Sequence, residues 1–299
     1  MAVDLNGKLV VGISSRALFD LEEENRIFVE QGLMAYEEYQ ISHENDILTP
    51  GAAFPLVKAL HNLNCGDHRL TEIIIMSKNS ANTSLRIFNS IEHYGLDISR
   101  AALVGGGSIA PYLGAFKTDL FLSADEADVQ EAVNANVAAG IICNHDQLPI
   151  DPEAEIPQIR IAFDGDAVIF SDESERIFKE HGLAAFSEHE RLNAQKPLPE
   201  GPFAKLLKTL SLVQNQFTGP DMPIRTALVT ARDAPAHERV IRTLRAWDVR
   251  IDEAFFLGGV QKAEILRSFG AHIFFDDQKL HTEPAAKFVP AARVPYKQN

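Results

Sequence analysis

Asp164-Gly165-Asp166 sets two carboxylates one residue apart, directly behind the apolar run Ile161-Ala162-Phe163. The run reads as a short buried strand, so the acids fall at its C-terminal edge, where open α/β sheets bind ligands. Carboxylates this close repel unless a cation or a division of labour makes them useful. The chemistry that suits them is a nucleophilic Asp164 beside an acid/base Asp166, with a divalent metal screening the pair. An acidic turn after a strand would be spelled the same way, and on these three letters alone both readings stand.

Three later stretches bear on the choice. Ala227-Leu228-Val229-Thr230 is a second apolar run and ends in a hydroxyl residue. Gly258-Gly259-Val260-Gln261-Lys262 places a lysine behind a glycine turn, at the start of a helical pattern. Ile273-Phe274-Phe275-Asp276-Asp277 is a third apolar run and ends in two carboxylates. The order Asp-x-Asp, Thr, Lys, Asp-Asp resembles the haloacid dehalogenase superfamily of phosphotransfer enzymes. That resemblance implies Asp164 as nucleophile, Asp166 as acid/base, Thr230 and Lys262 as phosphate-holding residues, and Asp276 with Asp277 as metal-binding acids.

The likeness narrows over Ala162 to Glu175, over Val229-Thr230-Ala231-Arg232-Asp233-Ala234-Pro235-Ala236-His237-Glu238-Arg239, and over Ser14-Ser15-Arg16-Ala17-Leu18-Phe19-Asp20. These stretches resemble the type I cytosolic 5′-nucleotidases across nearly the whole chain. The resemblance implies magnesium-dependent hydrolysis of nucleoside 5′-monophosphates, AMP above all, through an aspartyl phosphate on Asp164. It implies Gly165, Thr230, Ala231, Arg232 and Lys262 on the phosphate, and Asp164, Asp166, Asp276 and Asp277 around the magnesium. Two rivals remain open: a phosphatase of the same superfamily acting on a sugar or other metabolite phosphate, and a nucleotide-sensing binding protein.

Neighbouring residues have plainer roles. Asp233 is placed to cap the helix that Pro235 helps to begin. Arg232 touches phosphate or base, or is solvated at the surface, and His237 sits on a polar helix face. Phe170 and Phe186 read as core. His181 and His189 are too loosely spaced for a metal pair. The segment from about 172 to 223 carries helical periodicity at Ile177, Phe178, Leu183 and Phe186, prolines at 197, 199 and 202, and a helix from about Phe203 to Leu212. In the superfamily an insert at this place is a cap that excludes water and reads the leaving group.

Positioning these groups takes a large core, and 299 residues with 45% hydrophobic content provide one. The net charge of −14 argues against a nucleic-acid polymer or an anionic membrane as partner, while a small nucleotide is still admitted by local lysines, amides and a metal. Association into a homo-oligomer stays open. Cys65 and Cys143 form no metal spacing and read as reduced structural thiols. Met1 to Val11 has no long apolar run and no stretch is long enough to span a bilayer, so a cytoplasmic chain is expected.

In order, the chain offers strands at Leu9 to Ile13, Ile73 to Met76, Ala101 to Val104 and Leu120 to Leu122, before the three already described. The fold class is α/β, with a Rossmann-like parallel sheet of haloacid dehalogenase type and a small cap, preceded by a degenerate repeat of the same kind. The repeat is read from identities: Arg26-Ile27-Phe28 against Arg176-Ile177-Phe178 and Gly32-Leu33 against Gly182-Leu183 lie 150 residues apart, and Gly105-Gly106 against Gly258-Gly259 lie 153 apart. It divides the chain into 1–150, lacking catalytic residues, and a catalytic 151–299, joined by a loop from Asp146 to Gln158. In this alignment Asp164 falls on Ser14, Asp166 on Arg16, Thr230 on Ser77, Lys262 on Ile109, Asp276 on Ser123 and Asp277 on Ala124. The first half is expected to serve as scaffold, or to hold an effector nucleotide on Arg16, Ser77, Lys78 and the Gly105–Ser108 turn, Gly106 included.

Overall fold

The computed structural model describes residues 4–66, 68–143, 150–219 and 222–298. Residues 1–3 of the N-terminal stretch and 146–149 of the joining loop lie outside the described residues. Ten strands are formed: β1 Leu9–Ile13, β2 Thr71–Ser77, β3 Arg100–Leu103, β4 Leu120–Ser123, β5 Ala138–Ile142, β6 Ile159–Phe163, β7 Ile224–Thr230, β8 Glu253–Phe256, β9 Ile273–Asp276 and β10 Ala291–Arg293. They make one sheet in the order β3-β2-β1-β4-β5-β10-β9-β6-β7-β8. Eight of the nine pairings are parallel, and the ninth, β5 with β10, is antiparallel. The fold is therefore α/β with a mostly parallel central sheet.

Strands covered on both faces should read as near-continuous apolar runs, and β1, β2, β4 and β9 are buried at every position. Phe163, Phe203 and Phe275 pack together beneath the end of β6, with ring centroids 5.6 Å apart for Phe163–Phe275 and 4.7 Å for Phe203–Phe275. Three strands were not anticipated from sequence. β5 is Ala-Ala-Gly-Ile-Ile, β8 is a half-exposed Glu-Ala-Phe-Phe, and β10 is only three residues long. None has a run long enough to separate it from a loop.

The single antiparallel seam decides where function can sit. Strands in each half point the same way, but the two halves point in opposite directions. The C-terminal strand ends of residues 1–150 and of 151–299 therefore open on opposite edges of one sheet. Counted outward from the seam, each half has the same order: its fifth, fourth, first, second and third strand.

Helices cover both faces. Glu22–Gln31 and Leu33–Ser42 meet at Gly32 (φ +86°), and Glu173–Leu192 is interrupted at Gly182 (φ +77°). Only glycine adopts that conformation without strain. Ala204–Gln214 supplies the second helix of the insert. The capping role expected of Asp233 is corrected: the helix His237–Ala246 begins at an Ala236 N-cap with no side-chain bond. Asp233 contributes only its carbonyl, which accepts from the His237 amide. Among the described residues no helix is long and apolar enough to cross a membrane.

The seam leaves no space for a side chain at Gly140, where a Cβ would lie 2.9 Å from Ala292 Cβ and 3.1 Å from the Phe275 ring. Gly140→Val should destabilise the chain by ~1–3 kcal/mol through overpacking. Thermal unfolding followed by circular dichroism should show the transition lowered by at least ~2 °C; an unshifted transition would mean that the halves are not held at this contact.

Candidate active site

Strand ends build the site. Asp164 follows β6 and stays in extended conformation, its amide donating to Phe275 O at 2.8 Å. Thr230 ends β7 and Asp276 ends β9, so the three side chains lie on neighbouring strands of the order β9-β6-β7. Lys262 opens the helix Lys262–Phe269. Gly258 (φ +55°) and Gly259 (φ +94°) turn the chain back toward the sheet ahead of it.

Lys262 is buried, and its Nζ lies 2.8 Å from Asp164 Oδ1 and 2.7 Å from Asp276 Oδ2. Asp277 joins them: one carboxylate oxygen from each of Asp164, Asp276 and Asp277 falls within 4.8 Å of the others, and all three residues are buried. Asp277 Oδ1 is buried without a hydrogen-bond partner. One ammonium against three carboxylates leaves two negative charges. Two uncompensated charges, an orphaned oxygen and an all-oxygen donor set fit a hard divalent cation such as magnesium.

Burial pushes the Asp164 carboxyl up to about 7, with Asp276 and Asp166 adding repulsion that the Lys262 ammonium does not cancel. Burial likewise raises Asp277 to about 7, against the opposing hydrogen bond from Tyr296. Asp276 moves the other way. Its burial is outweighed by the His281 hydrogen bond and the Lys262 charge, and its carboxyl is held below the usual range. The same attraction keeps Lys262 firmly protonated despite its own burial.

Asp166 is separate from this cluster. Its carboxylate accepts from Arg232 Nε at 2.8 Å and Arg232 Nη2 at 2.6 Å, so its side chain is not among the three clustered acids. The resemblance placed Asp166 around the metal; its side chain lies in this ion pair. Arg232 is not solvated at the surface: it is buried, its third nitrogen reaches Glu190, and Phe186 lies under its guanidinium at 5.4 Å. A Cβ at Gly165 would lie 3.3 Å from Thr230 Oγ1, a tight contact that the threonine would have to yield to. Ala167, two residues on, takes a left-handed φ of +61°, a strained position for a side-chain-bearing residue beside a reactive centre. Phe170 is core, as expected.

A family description of 5′-nucleotidase matches residues 1–299. The chain belongs to the 5′-nucleotidase family. It is similar to human cytosolic 5′-nucleotidase 1B, with 42% identity over 93% of this chain and 47% of that protein. The chain thus spans about half the length of this curated relative. No solved structure matches it significantly.

Four participants were not singled out in the sequence of this family member. Glu190 comes from the far end of an exposed-looking helix. His281 Nδ1 reaches Asp276 Oδ2 at 3.1 Å from the short helix Lys279–Ala285. The Tyr296 hydroxyl, carried past β10, donates to Asp277 and lies 2.8 Å from Glu175 Oε2. Glu175 in turn takes Gln278 Nε2 at 3.0 Å and pairs with Lys179 at 2.7 Å. Each arrives through a tertiary path; only Glu175 belongs to a stretch that stood out in the sequence.

On the opposite sheet edge, Arg16, Ser77, Lys78 and Gly106 line one cavity of about 500 Å³, with Ser14, Phe28, Tyr36 and Asn79 also in its wall. The Ser14 hydroxyl accepts from the Ala17 amide and caps the helix Ser15–Leu18. Lys78 pairs with Asp128 at 2.6 Å. The Gly105, Gly106 and Gly107 amides donate to Asn79 O, Lys78 O and Val104 O. Arg16 pairs with Glu22 at 3.0 Å.

An acid whose folded pKa lies above its unfolded value costs stability once ionised, so the cost grows as pH rises from about 4 to about 7. Neutralising Asp277 removes part of it. In chelator-treated protein, Asp277→Asn should melt higher than wild type at pH 8 by ~2 °C or more, and the difference should shrink at pH 5. A difference that does not grow with pH would remove the charge-crowding account of the cluster.

Proposed function

We propose that the chain hydrolyses nucleoside 5′-monophosphates, AMP above others, to nucleoside and phosphate through an aspartyl phosphate on Asp164. The observation that carries this reading is the buried Asp164 held by Lys262 beside Asp276 and Asp277, in a chain of the 5′-nucleotidase family. An Asp164 oxygen attacks phosphorus and the bond from phosphorus to the ribose oxygen breaks. Asp166 gives its proton to the leaving oxygen. Water then loses a proton to Asp166 and attacks the same phosphorus, the Asp164–phosphorus bond breaks, and phosphate leaves with Asp166 reprotonated. Lys262 and Thr230 hold the phosphoryl oxygens in line for both displacements, and the Gly165 and Ala231 backbone approaches them closely.

Asp164, Asp276 and Asp277 would hold magnesium, which when bound supplies charge neutralisation for the phosphoryl group. The segment 172–223 acts as a cap over this edge. Its helix Glu173–Leu192 supplies Phe186 and Glu190 against Arg232, so the leaving nucleoside is read there. We read residues 1–150 as a degenerate repeat without a second catalytic centre, since Ser14, Arg16, Ile109 and Ser123 stand where the catalytic half has Asp164, Asp166, Lys262 and Asp276. The compartment we assign is the cytoplasm.

Asp164→Asn should abolish turnover, at least ~10³-fold, because an amide neither attacks phosphorus nor balances a cation. Phosphate release from AMP and a set of sugar phosphates, with magnesium supplied, measures this and ranks the substrates. Retention of a tenth of wild-type activity by Asp164→Asn, or preference for a sugar phosphate, would overturn the respective part of the reading. Chelation should remove activity and magnesium restore it; full turnover after exhaustive metal removal would exclude the cation.

The cavity of about 500 Å³ on the opposite edge favours a second reading for the first half, an effector site for a nucleotide on Arg16, Ser77, Lys78 and Gly106. Calorimetry of Asp164→Asn with ADP should give two binding events, one of them lost in the Arg16→Ala background. One event that Arg16→Ala leaves intact would make the first half scaffold.

A further inference from the structure

Beside the carboxylate cluster lies a second set of buried charge, beneath the helix Glu173–Leu192. Arg232 uses Nε and Nη2 on Asp166 and its remaining nitrogen, Nη1, on Glu190 Oε2 at 2.6 Å. Glu190 is 1% exposed. Its other oxygen accepts from Ser174 at 2.8 Å and from Arg239 Nη1 at 3.0 Å. The guanidinium is thus gripped on both sides, and Phe186 from the same helix covers its face. A buried acid with three donors has one orientation available to it, and so does the fork it holds.

The first half contains the control. Counting back 150 or 153 residues, as the matching glycines do, Glu190 falls on Gln40, Phe186 on Tyr36, Arg232 on Asn79, Asp166 on Arg16 and Arg239 on Arg86. There Gln40 Nε2 donates to the Tyr36 hydroxyl at 3.0 Å, and that hydroxyl donates to Asn79 Oδ1 at 3.1 Å. Arg86 is retained but pairs with Glu24, the residue in Ser174's place. Neutral hydrogen bonds join Gln40, Tyr36 and Asn79 there, and the Arg86 charge is met by Glu24 instead of by the residue in Glu190's place. A carboxylate joined to the residue in Arg232's place occurs only where an Asp166 exists to be aimed; because Glu24 meets the matching arginine in the first half, neither fastening the helix nor pairing Arg239 requires the charge at position 190.

We propose that Glu190 is a positioning residue for the acid/base step: by holding the third nitrogen of Arg232 it fixes the guanidinium that aligns the Asp166 carboxyl group on the leaving oxygen. The inference rests on the reading of Asp166 as the acid/base. A group that only orients the proton donor matters in proportion to how much the leaving group needs a proton.

The test therefore compares AMP with its analogue bearing sulfur in place of the bridging 5′ oxygen, whose thiolate departs without protonation. Phosphoenzyme formation is timed by rapid quench for wild type, Asp166→Asn and Glu190→Gln. Glu190→Gln should slow the step at least ~10-fold with AMP but less than ~3-fold with the sulfur analogue, a share of the usual general-acid contribution, with KM for AMP nearly unchanged. Should Glu190→Gln fold poorly, the quadruple variant Ser174→Glu, Phe186→Tyr, Glu190→Gln, Arg232→Asn rebuilds the arrangement of the first half, the carboxylate on Arg239 included, and should show the same split. Equal slowing on both substrates, or none, would make Glu190 a structural contact and overturn the proposal. If Asp166→Asn itself shows no split, the acid/base reading falls and takes this inference with it; if Asp166→Asn shows it and neither Glu190 variant does, the inference alone fails.

Discussion

Lys262 between Asp164 and Asp276 is the interaction on which the active edge depends. Three carboxylates buried within a few ångströms would not stay ionised together without it, because burial and mutual repulsion both favour the neutral forms. The lysine reaches the strand ends because two glycines with positive φ turn the chain ahead of its helix. One ammonium does not balance three acids, and the proposed magnesium would meet the charge that is left. Asp276 keeps its charge most firmly, with His281 and Lys262 both on it, while burial first and repulsion second raise Asp164 and Asp277. Such crowding is a strain that a stability-optimised core would not retain, and it sits where function demands it.

The second organising constraint is the seam between β5 and β10. Joining two parallel half-sheets antiparallel buries both inner edges, which would otherwise be exposed templates for aggregation. It also sends the C-terminal strand ends of the two halves to opposite sides. β10 does this with three residues, and the chain beyond it brings Tyr296 to Asp277. The C-terminal segment thereby closes the sheet and completes the surroundings of the acidic cluster in one pass. Close approach at Gly140 is the local requirement for that closure.

Much of the site was legible in the chain as written. Asp164, Thr230, Lys262, Asp276 and Asp277 announce themselves because each is a polar residue terminating an apolar run or following a glycine turn, and strand ends converge in a parallel sheet. The boundaries of β1 and β4 agree with the apolar runs to within a residue. The missed strands are built on alanine and glycine (β5), open on a glutamate (β8) or span three residues (β10), so none carries the run of large apolar residues that marks β1, β4 and β9. Asp233 was read as a cap from its spacing to Pro235, but the helix starts two residues after that proline.

Sequence by itself determined which residues could react and in what order they lie, because reactive chemistry is written in side-chain type and because apolar runs ending in acid have few folds open to them. Tertiary structure alone decided what each reactive group touches. That Asp166 turns from the acidic cluster to Arg232, that Glu190 is a buried counter-charge rather than one more surface acid, and that Tyr296 closes on Asp277 are all contacts between residues 16 to 66 positions apart. Long-range pairings of this kind depend on where helices and strand ends are placed in space, and helical spacing makes a buried glutamate indistinguishable from an exposed one until the opposing arginines are in place.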